Sequence, residues 1–337
     1  MRELPKVLLH DHLDGGLRPE TIIEIADEIG YQDLPSNSVL KLTEWFKESC
    51  DSGSLIDYLK TFDHTIAVMQ REKDIVRIAR EAVQDLASDG VIYAEVRVAP
   101  EHFTKRGLSM EAVTEAMLEG YRLGEIDTGL KVNTILCAMR QEDKAQEVAE
   151  LVVKYRDKGV VSFDIAGPEK GYAPTLHRQS FEYLRRNEIP FTIHAGEADG
   201  PESIDLAINA CGAKRIGHGI RVVEDLPNGR IANQVLDEQI HLEICPTSNL
   251  QTGIADTYTT HPIVYLFELG FNIGINTDNR LMSHTTMSNE FEEMAKAFGW
   301  GLAEFREVTL CAINSAFIDD KSEYLKRIGE TYDQLQR

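Results

Sequence analysis

Val7-Leu8-Leu9-His10-Asp11-His12-Leu13-Asp14-Gly15-Gly16 is the stretch from which the fold can be read. The apolar run from Val7 to Leu9 has the character of a buried strand. In a strand, residues i and i+2 point to one face, so His10 and His12 aim their imidazoles at one place. Asp14 is expected to continue that face, and the glycine pair to end the strand. Neutral imidazole is the commonest metal ligand. A single His-x-His also arises by chance, so its weight depends on what stands at the ends of the other strands.

Those strands follow in a regular rhythm. Strand-like runs at 91–98, 132–139, 160–167, 191–194, 215–220, 241–245 and 272–278 alternate with helical patterns. The helices are expected at 19–29, 109–127, 142–157, 177–187, 203–210 and 261–269, with more helix from 288 to the end. A βα alternation predicts an α/β fold with parallel strands and helices outside. Eight such units predict a closed (β/α)8 TIM-type barrel with extra C-terminal helices. An open doubly wound sheet is the other arrangement, but no G-x-G-x-x-G follows the first strand. Residues 35–70 break the rhythm and are expected to form a helical insertion over one end of the first unit. Within it, Leu55, Tyr58, Leu59 and Phe62 have the i, i+3, i+4, i+7 spacing of one apolar helix face. No linker, repeat or low-complexity block divides the chain, so residues 1–337 are read as a single domain.

Composition narrows the function classes. A net charge of −21 without a Lys/Arg cluster argues against a nucleic-acid partner. No apolar run approaches the ~20 residues of a membrane span, and no signal-peptide pattern stands at the start. The five cysteines are scattered without a C-x-x-C pair, which suits free thiols in a reducing compartment. A cytoplasmic location and a small-molecule substrate are expected.

Chemistry-bearing residues stand where the strands end: His10, His12 and Asp14, then His194 with Glu197, His218 between two glycines, and Asp278 followed by Asn279. In barrel enzymes these ends gather at one mouth. Taken singly, each has a bland reading: a core histidine, a helix-start carboxylate, a residue in a tight turn, a cap. Taken together, three histidines and an aspartate make an N,N,N,O set that suits zinc, with iron, cobalt or manganese also compatible. Catalytic zinc keeps a position open for water and lowers its pKa from about 16 to about 7. Glu197 would lie near that water as a proton shuttle, and His218 could hold or polarise the same oxygen. This chemistry is metal-assisted attack of water on a polar carbon. His64, His102, His177, His241, His261 and His284 lack such a context and are read as structural or surface residues.

HDHLDGG (10–16), DIAGPE (164–169), HAGE (194–197), GHG (217–219) and NTDN (276–279), in that order, resemble the adenosine deaminase family of the amidohydrolase superfamily. SLIDYLKTFDHTIAVMQ (54–70) is similar to the family's lid region. The resemblance implies one zinc ion held by His10, His12, His194 and Asp278. It implies that Glu197 gives a proton to purine N1 and that His218 orients the attacking hydroxide. Asp14 and His12 would face the ribose 5′ side, the Gly167 backbone would approach N3, and Asn279 would contact N7. The implied reaction is conversion of adenosine and 2′-deoxyadenosine to inosine and 2′-deoxyinosine with release of ammonia, as in purine salvage.

One residue departs from the pattern. Many members have a second aspartate where this chain has Asn279, whose amide donates to N7 without needing to be protonated. That leaves adenine, an N6-substituted purine nucleotide or an aminodeoxyfutalosine-type nucleoside as alternative substrates. Asp14 suits a free 5′-hydroxyl and would repel a 5′-phosphate. A general two-metal hydrolase is disfavoured because no lysine stands at a strand end. A cytidine-deaminase-like enzyme would need H-x-E…P-C-x-x-C, which is missing. A non-catalytic binding protein would be expected to have lost one of the six metal-binding or acid–base residues, and none is lost.

Overall fold

Eight short, largely apolar runs become strands, every one nearly or wholly buried, in a computed structural model that describes residues 1–336. They are β1 (Lys6–His12), β2 (Val91–Val98), β3 (Val132–Met139), β4 (Val160–Ala166), β5 (Thr192–Ala195), β6 (Arg215–His218), β7 (His241–Ile244) and β8 (Ile273–Ile275). All neighbouring pairs are parallel and form two four-stranded sheets, β1-β2-β3-β4 and β5-β6-β7-β8. Single parallel bridges join the sheets at both edges, Phe163 to Phe191 on one side and Asp11 to Asp278 on the other. The strand order is therefore cyclic, but the ladders are continuous only within each half.

Helices fill the crossovers. The longest are Glu72–Ser88, which leads into β2, and Met110–Thr128, which leads from β2 to β3. These two pack on each other so closely that Gly124 lies against Val83. Residues 71–90 carry a helix that is absent from the expected elements. The helix there buries Ile75, Ile78, Ala79, Ala82, Val83 and Leu86, a regular 3.6-residue face. The insertion after β1 holds three short helices, Val39–Cys50, Leu55–Leu59 and Phe62–Val68, so the expected single stripe of Leu55 to Phe62 is broken at Lys60-Thr61. Three helices follow β8, and the middle one, Leu302–Ser315, packs on β8 and β1. No helix among the described residues is long and apolar enough to cross a membrane.

Three strand ends differ from expectation by two residues or more: β6 stops at His218, before the expected 220, and the other two are those of β1 and β8. β1 stops at His12, and Leu13–Gly15 form one turn of 3-10 helix, so Asp14 does not continue the strand face. The cause is loss of partners: His12 is the last residue paired with β2, and its N–H donates to Asp278 O at 2.7 Å. Beyond that point no neighbouring backbone is aligned with the chain. β8 ends at Ile275, before the expected 278. Asn276 turns its side chain back to β1, where its Oδ1 accepts from Leu9 N–H (2.8 Å) and His10 N–H (3.0 Å). Asp278 then adopts a left-handed backbone (φ 57°), which ends extended geometry.

The space inside the strands is charged. In β2 the alternate residues Tyr93, Glu95 and Arg97 face inward. Arg97 meets Asp164 of β4 (2.7 Å) and Glu243 of β7 (2.6 Å), and Arg215 of β6 meets Glu95 and Glu243, both at 2.7 Å. All five charged side chains are essentially inaccessible to water. This network forms the floor of the site described next.

Candidate active site

Four histidines and two carboxylates, Asp278 and Glu197, converge above that floor. His10 and His12 come from β1, His194 from the end of β5, His218 from the end of β6 and Asp278 from just past β8. His10 Nε2 lies 3.3 Å from Asp278 Oδ1. His12 Nε2 lies 3.5 Å from the same oxygen and 3.3 Å from His194 Nε2. His218 Nε2 lies 4.0 Å from Asp278 Oδ2 and 3.7 Å from Glu197 Oε1. His218 and Asp278 both have left-handed backbones (φ 59° and 57°), a strained state that surrounding structure must impose.

The rings are oriented from behind. His10 Nδ1 is 2.9 Å from Glu243 Oε2, and His194 Nδ1 is 2.8 Å from Asp164 Oδ2. Arg97 contacts the same two carboxylate oxygens and also donates to Leu9 O at 2.7 Å. With Nδ1 facing a carboxylate, the lone pair of each ring is left on Nε2. Those lone pairs point at each other and at an anionic oxygen, which is repulsive unless a cation lies between them. One proton relieves one such contact; it does not serve three rings. His10 Nε2 is buried without a hydrogen-bond partner among the described residues. The donor set therefore fits a metal ion.

Two overlapping sets are available. The ligand atoms of His10, His194, His218 and Asp278 all lie within 4.8 Å of one another. His12 reaches the same region from β1 and offers a fourth donor in place of His218.

The protonation states suit hydrolysis. Burial pushes the Glu197 carboxyl well above the usual carboxylate range, and the Asp278 and Glu169 carboxylates push it further, which favours the protonated form. Burial opposes ionisation of Asp278, but the imidazoles of His10, His218 and His12 crowded against it outweigh that and hold its carboxyl well below the usual range. Burial keeps His12 and His218 neutral. Two carboxylic acids with opposed environments in one site make an acid and a base.

Glu197 sits on a loop pinned by Glu169. The Glu169 carboxylate accepts from the N–H groups of Gly196 (2.7 Å), Glu197 (3.1 Å), Ala198 (2.7 Å) and Asp199 (2.8 Å). Ser248 donates to Asp278 Oδ2 at 2.6 Å, and the Asn249 amide lies 3.1 Å from His218 Nδ1.

A cavity of about 200 Å³ opens over these groups. His12, Asp14, Gly167, His194, Glu197, His218, Asp278 and Asn279 all line it, while His10 lies beneath, fully buried. Asp14 reaches the cavity from its 3-10 turn. Burial raises its pKa to about 7, and its Oδ1 has no partner among the described residues. Asn279 Oδ1 is also unpartnered. Gly15 is obligatory beside it, because a Cβ there would stand 1.9 Å from Asn279 Oδ1. Gly167 has φ +97°, and a Cβ would stand 2.7 Å from Gln141 Oε1. Leu55, Tyr58, Leu59 and Phe62 of the insertion form an apolar wall.

Several residues of the site were not found from sequence. His102, read as structural or surface, lines the cavity, with its pKa lowered by burial to about 4. Gln141 also lines it, and its Oε1 is another buried unpartnered acceptor. Asp164 and Glu169 lie inside a quoted motif, yet only Gly167 there received a role. Glu243 had a signal that could have been used, a charge between Leu242 and Ile244 in a short apolar strand.

Residues 5–330 match the family model described as "Adenosine deaminase". "Adenosine deaminase 1" of Streptomyces coelicolor is 53% identical over 331 residues, covering 94% of this chain and 84% of that protein. "Adenosine deaminase" of Mycobacteroides abscessus is 48% identical over 329 residues, covering 94% and 91%. Among solved structures, the N6-mAMP deaminase of Arabidopsis superposes with a TM-score of 0.84 at 27% identity, covering 99% of this chain and 98% of that one. An adenine deaminase of Arthrobacter aurescens superposes with a TM-score of 0.90 at 24% identity, covering 99% and 100%, a likeness of fold alone.

Proposed function

Because this chain belongs to the adenosine deaminase family, we propose that it hydrolyses adenosine and 2′-deoxyadenosine to inosine and 2′-deoxyinosine plus ammonia. The observation that carries this reading is the convergence of His12, His194, Glu197, His218 and Asp278, brought from the ends of separate strands, on one polar cavity.

His10, His12, His194 and Asp278 would hold a zinc ion. When bound, zinc supplies Lewis acidity that makes water a nucleophile at neutral pH. Asp278 accepts the proton of the attacking water, and His218 hydrogen-bonds to its oxygen. Glu197 gives its proton to N1, which withdraws electrons from C6 as the new C6–O bond forms. On collapse of the tetrahedral C6, Asp278 returns its proton to the departing amine and Glu197 recovers one from the C6 hydroxyl. The C6–N bond breaks, ammonia leaves, and the product keeps the proton on N1. The ribose hydroxyls and purine edge would satisfy the unpartnered oxygens of Asp14, Asn279 and Gln141. Gly167 leaves room for the base. Leu55, Tyr58, Leu59 and Phe62 serve as a lid over the nucleoside.

The lining also favours a nucleoside over a nucleotide. Asp14, Asp63, Glu197 and Asp278 are among the lining residues, and no lysine or arginine is. A 5′-phosphate would enter without a counter-charge. The free, mostly buried thiols suit a reducing cytoplasm. Steady-state rates on adenosine, adenine and AMP test the assignment. kcat/KM at least 10²-fold higher for adenosine is expected, and a preference for AMP or adenine would overturn it.

A further inference from the structure

Asn249 and His261 have no part in the chemistry above, yet they join His218 in a hydrogen-bond chain that runs through three elements. The chain starts at the backbone. Ile263 N–H, at the start of the helix Ile263–Glu268, donates to His261 Nδ1 at 3.1 Å. A backbone N–H can only donate, so His261 Nδ1 carries no proton. His261 is buried, its pKa is lowered to about 3 by that burial, and the neutral ring therefore has its proton on Nε2. Nε2–H donates to Asn249 Oδ1 at 3.3 Å. The other end of that amide, Nδ2–H, donates to His218 Nδ1 at 3.1 Å. His218 Nδ1 is thus an acceptor, and the proton of this neutral ring sits on Nε2, facing Glu197 and Asp278.

We propose that Asn249 and His261 are positioning residues that lock His218 in the Nε2–H tautomer, which keeps its ring off the metal and aims an N–H at the attacking oxygen. An N–H nitrogen has no lone pair for a metal. Of the two overlapping donor sets, the chain selects His10, His12, His194 and Asp278, and leaves His218 as a hydrogen-bond donor. The inference rests on the deaminase reading for the identity of the attacked atom, but not for the tautomer.

The test is long-range ¹H–¹⁵N NMR of the ¹⁵N-histidine-labelled protein, with His218→Gln used for assignment, followed by loading with cadmium-113. His218 is expected to show a protonated Nε2 and an acceptor Nδ1. Coupling to cadmium is expected for His10, His12 and His194 and not for His218. Asn249→Asp removes the donor and should move the proton to Nδ1. A catalytic histidine held in the wrong tautomer loses up to ~10⁴ in kcat, so a kcat loss of ~10²–10⁴ is expected, with KM for adenosine within about threefold and one zinc per chain retained. His261→Gln keeps a donor to Asn249 and should leave kcat within about threefold, whereas His261→Phe should not. A wild-type spectrum with Nδ1–H, or cadmium coupling to His218, overturns the proposal without any variant. Wild-type kcat in a folded Asn249→Asp protein also overturns it. A protein inactive on adenosine but with Nε2–H on His218 refutes the substrate reading and leaves this one standing.

Discussion

Replacing Arg97 by methionine removes the cation that links the two carboxylate–histidine pairs beneath the metal-binding residues. Arg97, Asp164 and Glu243 are all fully buried, so water cannot take over for the lost guanidinium. Glu243 keeps Arg215 at 2.7 Å. Asp164 keeps only the His194 ring at 2.8 Å, the His194 N–H at 3.2 Å and the Cys137 thiol at 3.6 Å. One carboxylate is therefore left without a full positive charge. Breaking a buried pair by removing one partner costs about 3–5 kcal/mol. With roughly 2.1 cal/mol/K per residue, a chain of 337 residues has an unfolding entropy near 0.7 kcal/mol/K, so Tm should fall by about 4–7 °C. The loosened His10 and His194 rings should also weaken zinc binding about 10–100-fold. Calorimetry of zinc-free protein reads the first effect, and competition with a chromophoric chelator reads the second. A Tm within about 1 °C of wild type together with unchanged zinc affinity would refute the argument.

Glu197→Gln should keep one zinc per chain and lose about 10²–10⁴ in kcat, as removal of a proton donor does; loss of the zinc in that variant would make Glu197 a ligand and contradict its assigned role. Gly167→Ala places a methyl group 2.7 Å from Gln141 Oε1 and 2.9 Å from Met139 Cε at φ +97°. It should cost about 1–3 kcal/mol in stability and raise KM for adenosine, and an unchanged KM would show that the base does not pass over this backbone. Burial raises the Glu290 pKa from 4.5 to about 7. The native state therefore holds this proton more tightly than the unfolded chain, and stability falls as pH rises from 4.5 through 7, by roughly 3 kcal/mol in all. Glu290→Gln should be more stable relative to wild type at pH 8 than at pH 5 in urea titrations, and an equal difference at the two pH values would count against this burial argument.

β2 and β3 have the bounds expected from their residues, because β-branched runs between helical patterns leave little choice. The site was legible for the same reason: polar residues at the ends of buried strands have few structural uses. The lost information was of two kinds. The helix Glu72–Ser88 carried a full amphipathic signal that was not used. Asn249 and Gln141 carried none, since an amide in a loop or short helix looks like any surface residue until its neighbours are known. Arg97 lies between these cases. A strand that alternates Tyr93, Glu95 and Arg97 with apolar residues usually exposes the polar face. Here that face turns inward, because Asp164, Glu243 and Arg215 arrive from other strands to neutralise it. Such pairing between distant strands is invisible to local pattern. Asp14 shows a further limit: the i, i+2 rule fails where the strand loses its neighbours.

The most direct measurement is the ultraviolet spectrum of adenosine incubated with zinc-loaded protein, repeated after chelation and again after zinc is restored. Conversion to the spectrum of inosine is expected, with its loss on chelation and its return with zinc. An unchanged adenosine spectrum with the fully loaded protein, or conversion that persists after the metal is gone, would contradict it.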